Sequence, residues 1–274
     1  MPAWLRPGRV ISLVLVNIWL LIVLIPLYYM ILSSFRSEDT YQIDNQWLPL
    51  GGLTFGSYTK AWQVGMAHYL LNSVILTVAC VVLSVVLSLG MAYRVVRRNS
   101  RWVGVSFSVV LFGLAVPVQA IVVPLYIMIV KMHLYDTLYA LILTLTAAAI
   151  PVSVLIMVSF VRDIPRELIS AMLIDGGTEW TVFRQLIWPL ARPVMATLAI
   201  YNGLNVWNNF LLPLVLTLNN STVLPLGLQH LQGSYSNDVP AVLAAVVLSA
   251  LPLVILFIFM RRQVMNSLGG IVAR

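Results

Sequence analysis

The sequence predicts an all-α membrane protein with six transmembrane helices and both termini in the cytoplasm. Three observations carry that expectation. Hydrophobic residues make up 61% of the 274 and charged residues 9%, against about 45–50% and about 25% in an ordinary soluble domain. Six apolar stretches each reach the roughly 20 residues that a crossing helix needs. With the termini inside, only Arg36, Lys60 and Lys131 of the 16 basic residues fall outside, as expected when Lys and Arg gather on the cytoplasmic side. A soluble globular enzyme could not cover its surface with so few charges. A disordered chain would be far less hydrophobic.

The first stretch, 10–32, follows Arg6 and Arg9. Its apolar core is too long for a signal peptide, and Tyr28, Tyr29 and Met30 stand where small cleavage-site residues would be needed, so it is expected to be retained. The loop 33–68 then lies outside, with Glu38, Asp39, Asp44 and the turn pair Gly51-Gly52. Stretch two is 69–93, and a short basic inside turn at Asn99-Ser100 leads to stretch three, 102–130. Stretch four is 138–161. A mixed inside segment, 162–192, separates it from stretch five, 193–216. The outside loop 217–238 carries no Lys or Arg, and stretch six, 239–260, runs into a basic tail, 261–274. The chain 1–274 thus reads as a single transmembrane domain. Trp19, Tyr28, Tyr29, Trp102 and Trp188 suit interfacial anchors, or packing on a neighbouring helix.

The net charge of +7 would suggest nucleic acid in a soluble protein; here it reports orientation, and no nucleic-acid partner is expected. Cys80 is the single cysteine, and His68, His133 and His230 are scattered. Neither a disulfide framework nor a metal site is expected.

The inside segment carries unusual local chemistry. Pro165 suits a helix start with Glu167 in its first turn. Leu168, Ala171, Met172 and Ile174 form an apolar face at helical spacing. Asp175-Gly176-Gly177 breaks that helix. Thr178-Glu179-Trp180 restarts a second through Phe183 and Ile187; Pro189 ends it and Pro193 opens stretch five. Two readings remain: a loop lying on the membrane surface, or a docking element for a soluble partner.

Stretch five holds Tyr201, Asn202, Asn205, Trp207, Asn208 and Asn209. Asn202, Asn205 and Asn209 share one helical face; Tyr201, Asn205 and Asn208 share an adjacent stripe. Amides facing lipid are costly, so these either hydrogen-bond between helices or line a path. Amides and aromatic faces suit sugars, which offer donors, acceptors and stacking without fixed charge. Gln119 beside Pro117, and Asn72 with Ser73, are weaker candidates. Pro117 and Pro124 mark either a bend toward a cavity or a packing kink. No charge lies deep in any stretch, which argues against a proton-coupled secondary carrier. No P-loop occurs, and no His, Asp and Glu cluster points to a catalytic residue. A structural protein would need no polar stripe.

Ser170-Ala171-Met172-Leu173-Ile174-Asp175-Gly176-Gly177, followed by Phe183, Leu186, Pro189 and Leu190, resembles the EAA coupling loop of binding-protein-dependent ABC importer permeases. Glu167-Leu168 is similar to the usual lead. Leu71-Asn72-Ser73, Ala92-Tyr93-Arg94, Pro124-Leu125-Tyr126, Tyr135-Asp136-Thr137 and Trp207-Asn208-Asn209-Phe210 resemble the carbohydrate branch, in particular its second, maltose-type permease. The resemblance implies a type I ABC importer permease in a bacterial cytoplasmic membrane, importing a mono- or oligosaccharide. An ABC permease for a non-sugar solute is the alternative, and a secondary carrier a further one. It implies a second permease subunit, two cytoplasmic ABC ATPase subunits holding ATP and Mg, and an extracytoplasmic sugar-binding protein. No cofactor would sit on this chain. Glu167, Ser170, Ala171, Met172, Asp175, Gly176, Gly177, Phe183 and Pro189 would then couple to the ATPase. Ser170 replaces the family glutamate; Glu167, three residues earlier, faces nearly the same way and is a candidate substitute. Gly177 replaces an alanine, a mild change on sequence grounds. The tail with Gly269, Gly270 and Arg274 is similar to a tail that reaches between the ATPase domains, or is a topology signal alone.

Overall fold

The computed structural model describes residues 7–43, 47–48, 52–98, 100–234 and 238–272, with side chains for all but 7–10, 42–43, 233–234 and 259–272. Arg6, Asp44, Gly51, Asn99 and Arg274 lie outside the described residues. Among the described residues there is no strand. The elements are α1 (Pro7–Ser34), α2 (Glu38–Ile43), α3 (Gly56–Ala61), α4 (Ala67–Arg97), α5 (Arg101–Phe112), α6 (Val118–Lys131) and α7 (Leu138–Arg162). They continue as α8 (Arg166–Ile174), α9 (Glu179–Val182), α10 (Trp188–Trp207), α11 (Leu211–Leu216), α12 (Leu224–Ser234) and α13 (Val239–Val272). The tail glycines Gly269 and Gly270 are helical, because α13 runs on past residue 260 to Val272.

The chain forms two compact units. The first joins Met1–Ala67 to Gly227–Pro252. Every residue of α1 from 11 to 28 is exposed, an all-round apolar surface that suits lipid or a neighbouring membrane protein. Polar groups gather at its end. The Arg36 guanidinium donates to the Leu48 carbonyl, the Ser57 hydroxyl donates to the Arg36 carbonyl at 2.7 Å, and the Thr54 amide donates to the Phe35 carbonyl at 2.6 Å. Phe35 packs on Phe55 and Tyr58 with ring centroids 5.4 and 5.0 Å away. The Lys60 ammonium binds the buried Asp238 carboxylate. A π-helical turn, Trp62–Met66, with Gly65 at φ +95°, kinks the chain after α3.

The second unit comprises His68–Leu226 and Leu253–Arg274. One apolar core gathers Leu89 and Ala92 of α4, Val154 and Met157 of α7, Ile169 of α8, Val182 of α9, and Ala191 and Leu198 of α10. A second gathers Leu76 and Cys80 of α4, Ile129 of α6, Leu141 and Leu145 of α7, and Leu212 and Leu216 of α11.

Among the described residues, four helices are long and apolar enough to cross a membrane, and five if α5 and α6 count as one broken span. Stretch three is that pair, bent by 110° between Ala115 and Val118. The cause lies at Pro117. Its ring disfavours helical backbone at the preceding residue, Val116 is extended, and Pro117 caps the new helix. Pro124, by contrast, sits inside α6 without ending it. Stretch five is also interrupted: α10 stops at Trp207 and α11 starts at Leu211. At the break, the Asn209 side-chain oxygen accepts from the Leu212 amide at 3.2 Å and helps cap the start of α11 from one residue before its N-cap Phe210.

Candidate functional site

The segment 162–192 folds as helices joined by a tight turn after α8. Pro165, extended at φ −55° and ψ 130°, caps α8. The turn closes when the Gly176 amide donates to the Leu173 carbonyl at 3.2 Å and the Gly177 amide to the Met172 carbonyl at 2.9 Å. Gly176 sits at φ +84°, the left-handed conformation that glycine adopts without a Cβ penalty. Gly177 is needed for a different reason. A Cβ there would lie 2.6 Å from the Met172 carbonyl oxygen. Glycine in the alanine place is therefore not mild in this backbone; it is what lets the turn close so tightly. Thr178 then caps α9, its hydroxyl accepting from the Thr181 amide at 3.2 Å.

The segment is rooted in the bundle from both sides. Ile169 and Val182 are buried in the core with Leu89 and Met157. The Glu179 carboxylate accepts from Arg97 Nη2 at 2.8 Å and from the Tyr93 hydroxyl, tying α9 to the end of α4. Those hydrogen bonds, Arg97 first and Tyr93 second, hold the Glu179 carboxyl below its ordinary range. Phe183 stacks on Trp180 at 5.6 Å and packs on Tyr93 at 5.5 Å. Below it a π-helical turn, Phe183–Ile187, runs into α10, so Pro189 lies inside the start of that helix instead of ending one.

The buried face of α8 differs from the face expected. Ile169 is inside, with Met172 and Leu173 partly buried, whereas Leu168, Ala171 and Ile174 point outward. The helix has two apolar stripes, and the sequence pattern alone could not say which one meets the bundle. Ile174 is 85% exposed and Trp180 67%. Glu167, Ser170 and Asp175 share that exposed surface.

The polar stripe of α10 separates into three environments. Asn202 is 2% exposed, and its amide donates to Ser84 Oγ of α4 at 3.0 Å and to Ser153 Oγ of α7 at 2.9 Å. It is a tie between three helices. Tyr201, Asn205 and Asn208 are exposed, and the two amides donate only to carbonyls of their own helix, those of Tyr201 and Leu204, at 2.8 and 2.9 Å. Asn209 helps cap α11, and Trp207 is buried. Tyr201, Asn202, Asn205 and Asn209 line a hollow of about 190 Å³ against Ala148, Ala149 and Val152 of α7. Ligand clefts generally span about 300–1,000 Å³, so this hollow is too small to hold a ligand by itself. Asn72 is buried, donating to the Thr222 carbonyl at 2.9 Å; Gln119 is exposed at the start of α6.

One polar centre was not singled out from the sequence as a site. Asp136, in the left-handed region at φ +57°, gathers the loop 218–221. Its carboxylate accepts from the amides of Leu218 at 2.9 Å, Asn220 at 3.2 Å and Ser221 at 3.3 Å, and from the Ser221 hydroxyl at 3.0 Å. Burial opposes its ionisation, but the Leu218 and Asn220 amides and the Ser221 hydroxyl outweigh burial and lower its pKa to about 2. The sequence signal is Tyr135-Asp136-Thr137, part of the family resemblance but without a site role there.

Among the described residues, long apolar helices form a bundle, and the helix pair α8 and α9 packs into its core. Comparison with known proteins gives the family. Residues 84–265 match the family described as binding-protein-dependent transport system inner membrane component. The chain is 34% identical over 263 residues to the arabinooligosaccharides transport system permease protein AraQ of Halalkalibacterium halodurans, covering 91% of each. It is 33% identical over 273 residues to the diacetylchitobiose uptake system permease protein NgcG of Streptomyces coelicolor, covering 96% of this chain and 88% of the other. Its fold matches a chain of a bacterial ABC transporter involved in the import of the acidic polysaccharide alginate, at a TM-score of 0.81 and 20% identity over 96% of this chain and 99% of that one. The chain belongs to the binding-protein-dependent transport family and is an inner-membrane ABC permease component, not an enzyme.

Proposed function

We propose that this chain is one of two permease subunits of an ATP-driven sugar importer, and that α8, its turn and α9 are where a separate ATPase docks. The observation that carries the reading is the helix pair itself: its inner face is built into the bundle core, while Leu168, Ile174 and Trp180 stand exposed. A docked body can therefore push on α4, α7 and α10 through packed side chains rather than through a slack loop. ATP and Mg belong on that ATPase. The chain crosses the membrane six times with both termini inside, α5 with α6 forming the third crossing and α10 with α11 the fifth. This arrangement keeps all but three of the basic residues inside. An extracytoplasmic binding protein delivers the solute. The arabinooligosaccharide and diacetylchitobiose relatives support a sugar or oligosaccharide, as do the exposed amides and tyrosine on α10. The hollow beside Asn205 is completed by the partner permease.

Gly176→Arg, or deletion of 175–178, uncouples the ATPase. Co-purification of either variant with full ATPase content and normal substrate-stimulated hydrolysis overturns the docking assignment. Cysteines placed at Asn205 and Asn208 in a Cys80-free background react with aqueous thiol reagents; complete protection in every nucleotide state overturns the path assignment.

A further inference from the structure

The end of α4 and the start of α10 enclose two adjoining hollows, of about 330 and about 600 Å³. They share Gly90, Trp180 and Phe183. The first is rimmed by Arg94, Arg97 and Arg98, the second by Arg184 and Arg192. Arg97 is neutralised by Glu179 at 2.8 Å. Among the described residues, no acid lies within ion-pair distance of the other four arginines, although the Glu179 carboxylate lines the first hollow beside Arg97 and also interacts with the Arg98 charge. The walls toward the bundle are apolar and aromatic: Val86, Phe183, Trp188 and Pro189. A Cβ built on Gly90 meets nothing within 4 Å, so the floor between them is open.

We propose that these hollows hold the headgroup of an anionic phospholipid from the cytoplasmic leaflet, its phosphodiester against Arg94, Arg98 and Arg184 and its glycerol and upper acyl chains along Val86, Phe183 and Trp188. Charge and position select this occupant. The unpaired arginines call for an anion, and the apolar wall beside them calls for a molecule that is hydrocarbon at one end. Basic pockets beside membrane helices on the cytoplasmic side recognise such headgroups. A bound lipid touches Trp180 and Phe183 of the segment assigned to ATPase docking, so it braces that segment. The placement in the cytoplasmic leaflet rests on the orientation proposed above. The lipid count below does not, because a nanodisc presents anionic lipid on both faces.

The test uses the complete transporter in nanodiscs of phosphatidylcholine alone or with phosphatidylglycerol, counting retained lipid by native mass spectrometry and reading substrate-stimulated ATP hydrolysis. The wild type retains phosphatidylglycerol and hydrolyses faster with it. The triple variant R94Q/R98Q/R184Q loses roughly a hundredfold in lipid affinity, at about fivefold per arginine, whereas R94K/R98K/R184K retains it. Gly90→Leu plugs the floor without removing charge and also releases the lipid. Equal retention by wild type, the glutamine variant and G90L overturns the proposal. So does a cross-link from a cysteine at Arg184 to the partner permease, which would show that protein fills the hollow. Stimulation of hydrolysis by inorganic phosphate in phosphatidylcholine nanodiscs as strong as that by phosphatidylglycerol overturns the lipid assignment.

Discussion

Asn202→Ala separates a structural amide from a path-lining one. The native amide makes two interhelical hydrogen bonds, to Ser84 and Ser153. Such bonds average about 0.6 kcal/mol within membrane bundles, so two of them sum to about 1 kcal/mol. The loss is limited because both serines keep a partner. Ser84 still donates to the Val81 carbonyl at 3.2 Å, and Ser153 to the Ala149 carbonyl at 2.9 Å. What remains is two hydroxyls without an incoming donor and a void the size of an amide. A total of about 1–2 kcal/mol follows, which lowers the melting temperature by about 2–6 °C in a chain of this size. The assay is thermal unfolding in detergent, with transport measured in vesicles at a temperature well below the transition. Asn205→Ala serves as the control: its amide bonds only within α10, so stability stays within about 0.5 kcal/mol. Unchanged melting for Asn202→Ala, together with a loss of transport, would refute the three-helix tie and return Asn202 to the path.

Gly177→Ala forces its methyl group against the Met172 carbonyl oxygen, and Gly176→Ala places a Cβ at φ +84°. Each destabilises the turn by about 1–2 kcal/mol, measured as increased protease cleavage within 170–180 of the assembled complex. Asp136→Asn removes a carboxylate held at about pKa 2. A depressed pKa adds stability that is present above the usual value near 4 and is lost as pH falls toward about 2, so the wild type loses more stability than the variant over that window. Melting curves from pH 6 downward check it; parallel curves refute it. Glu179→Gln keeps the shape but weakens the exposed pair with Arg97. The stability cost is at most about 1 kcal/mol, while ATP hydrolysis becomes less responsive to substrate.

The helices were legible wherever long apolar runs stood alone, as at α1, α4, α7 and α13. The turn at Gly176 was legible too, because a glycine pair after an acid has few other uses. Less visible were features set by partners distant in sequence. Asn202 and Asn205 have the same chemistry and similar spacing, yet one meets serines on α4 and α7 and the other meets nothing beyond its own helix. Pro117 and Pro124 look alike as residues. The first breaks its span, with Val116 extended before it, whereas the helix runs on through the second. On α8, Ile169 and Leu168 are equally apolar, and only packing into the core that also holds Val158 and Val182 decides which is inside.

The π-helical turn at Phe183–Ile187 has a consequence for phase. Such a turn is one residue longer than the α-helical turn it replaces. Removing a single residue between 183 and 187 would leave a continuous helix, but would rotate everything before it by about 100° and draw it in by about 1.5 Å relative to α10. Glu179 would then swing away from Arg97 while Asn202 kept its serines. The extra residue thus sets the clocking between α9 and α10, and, if α9 is the docking arm proposed above, a one-residue deletion there yields an intact bundle with its arm out of step.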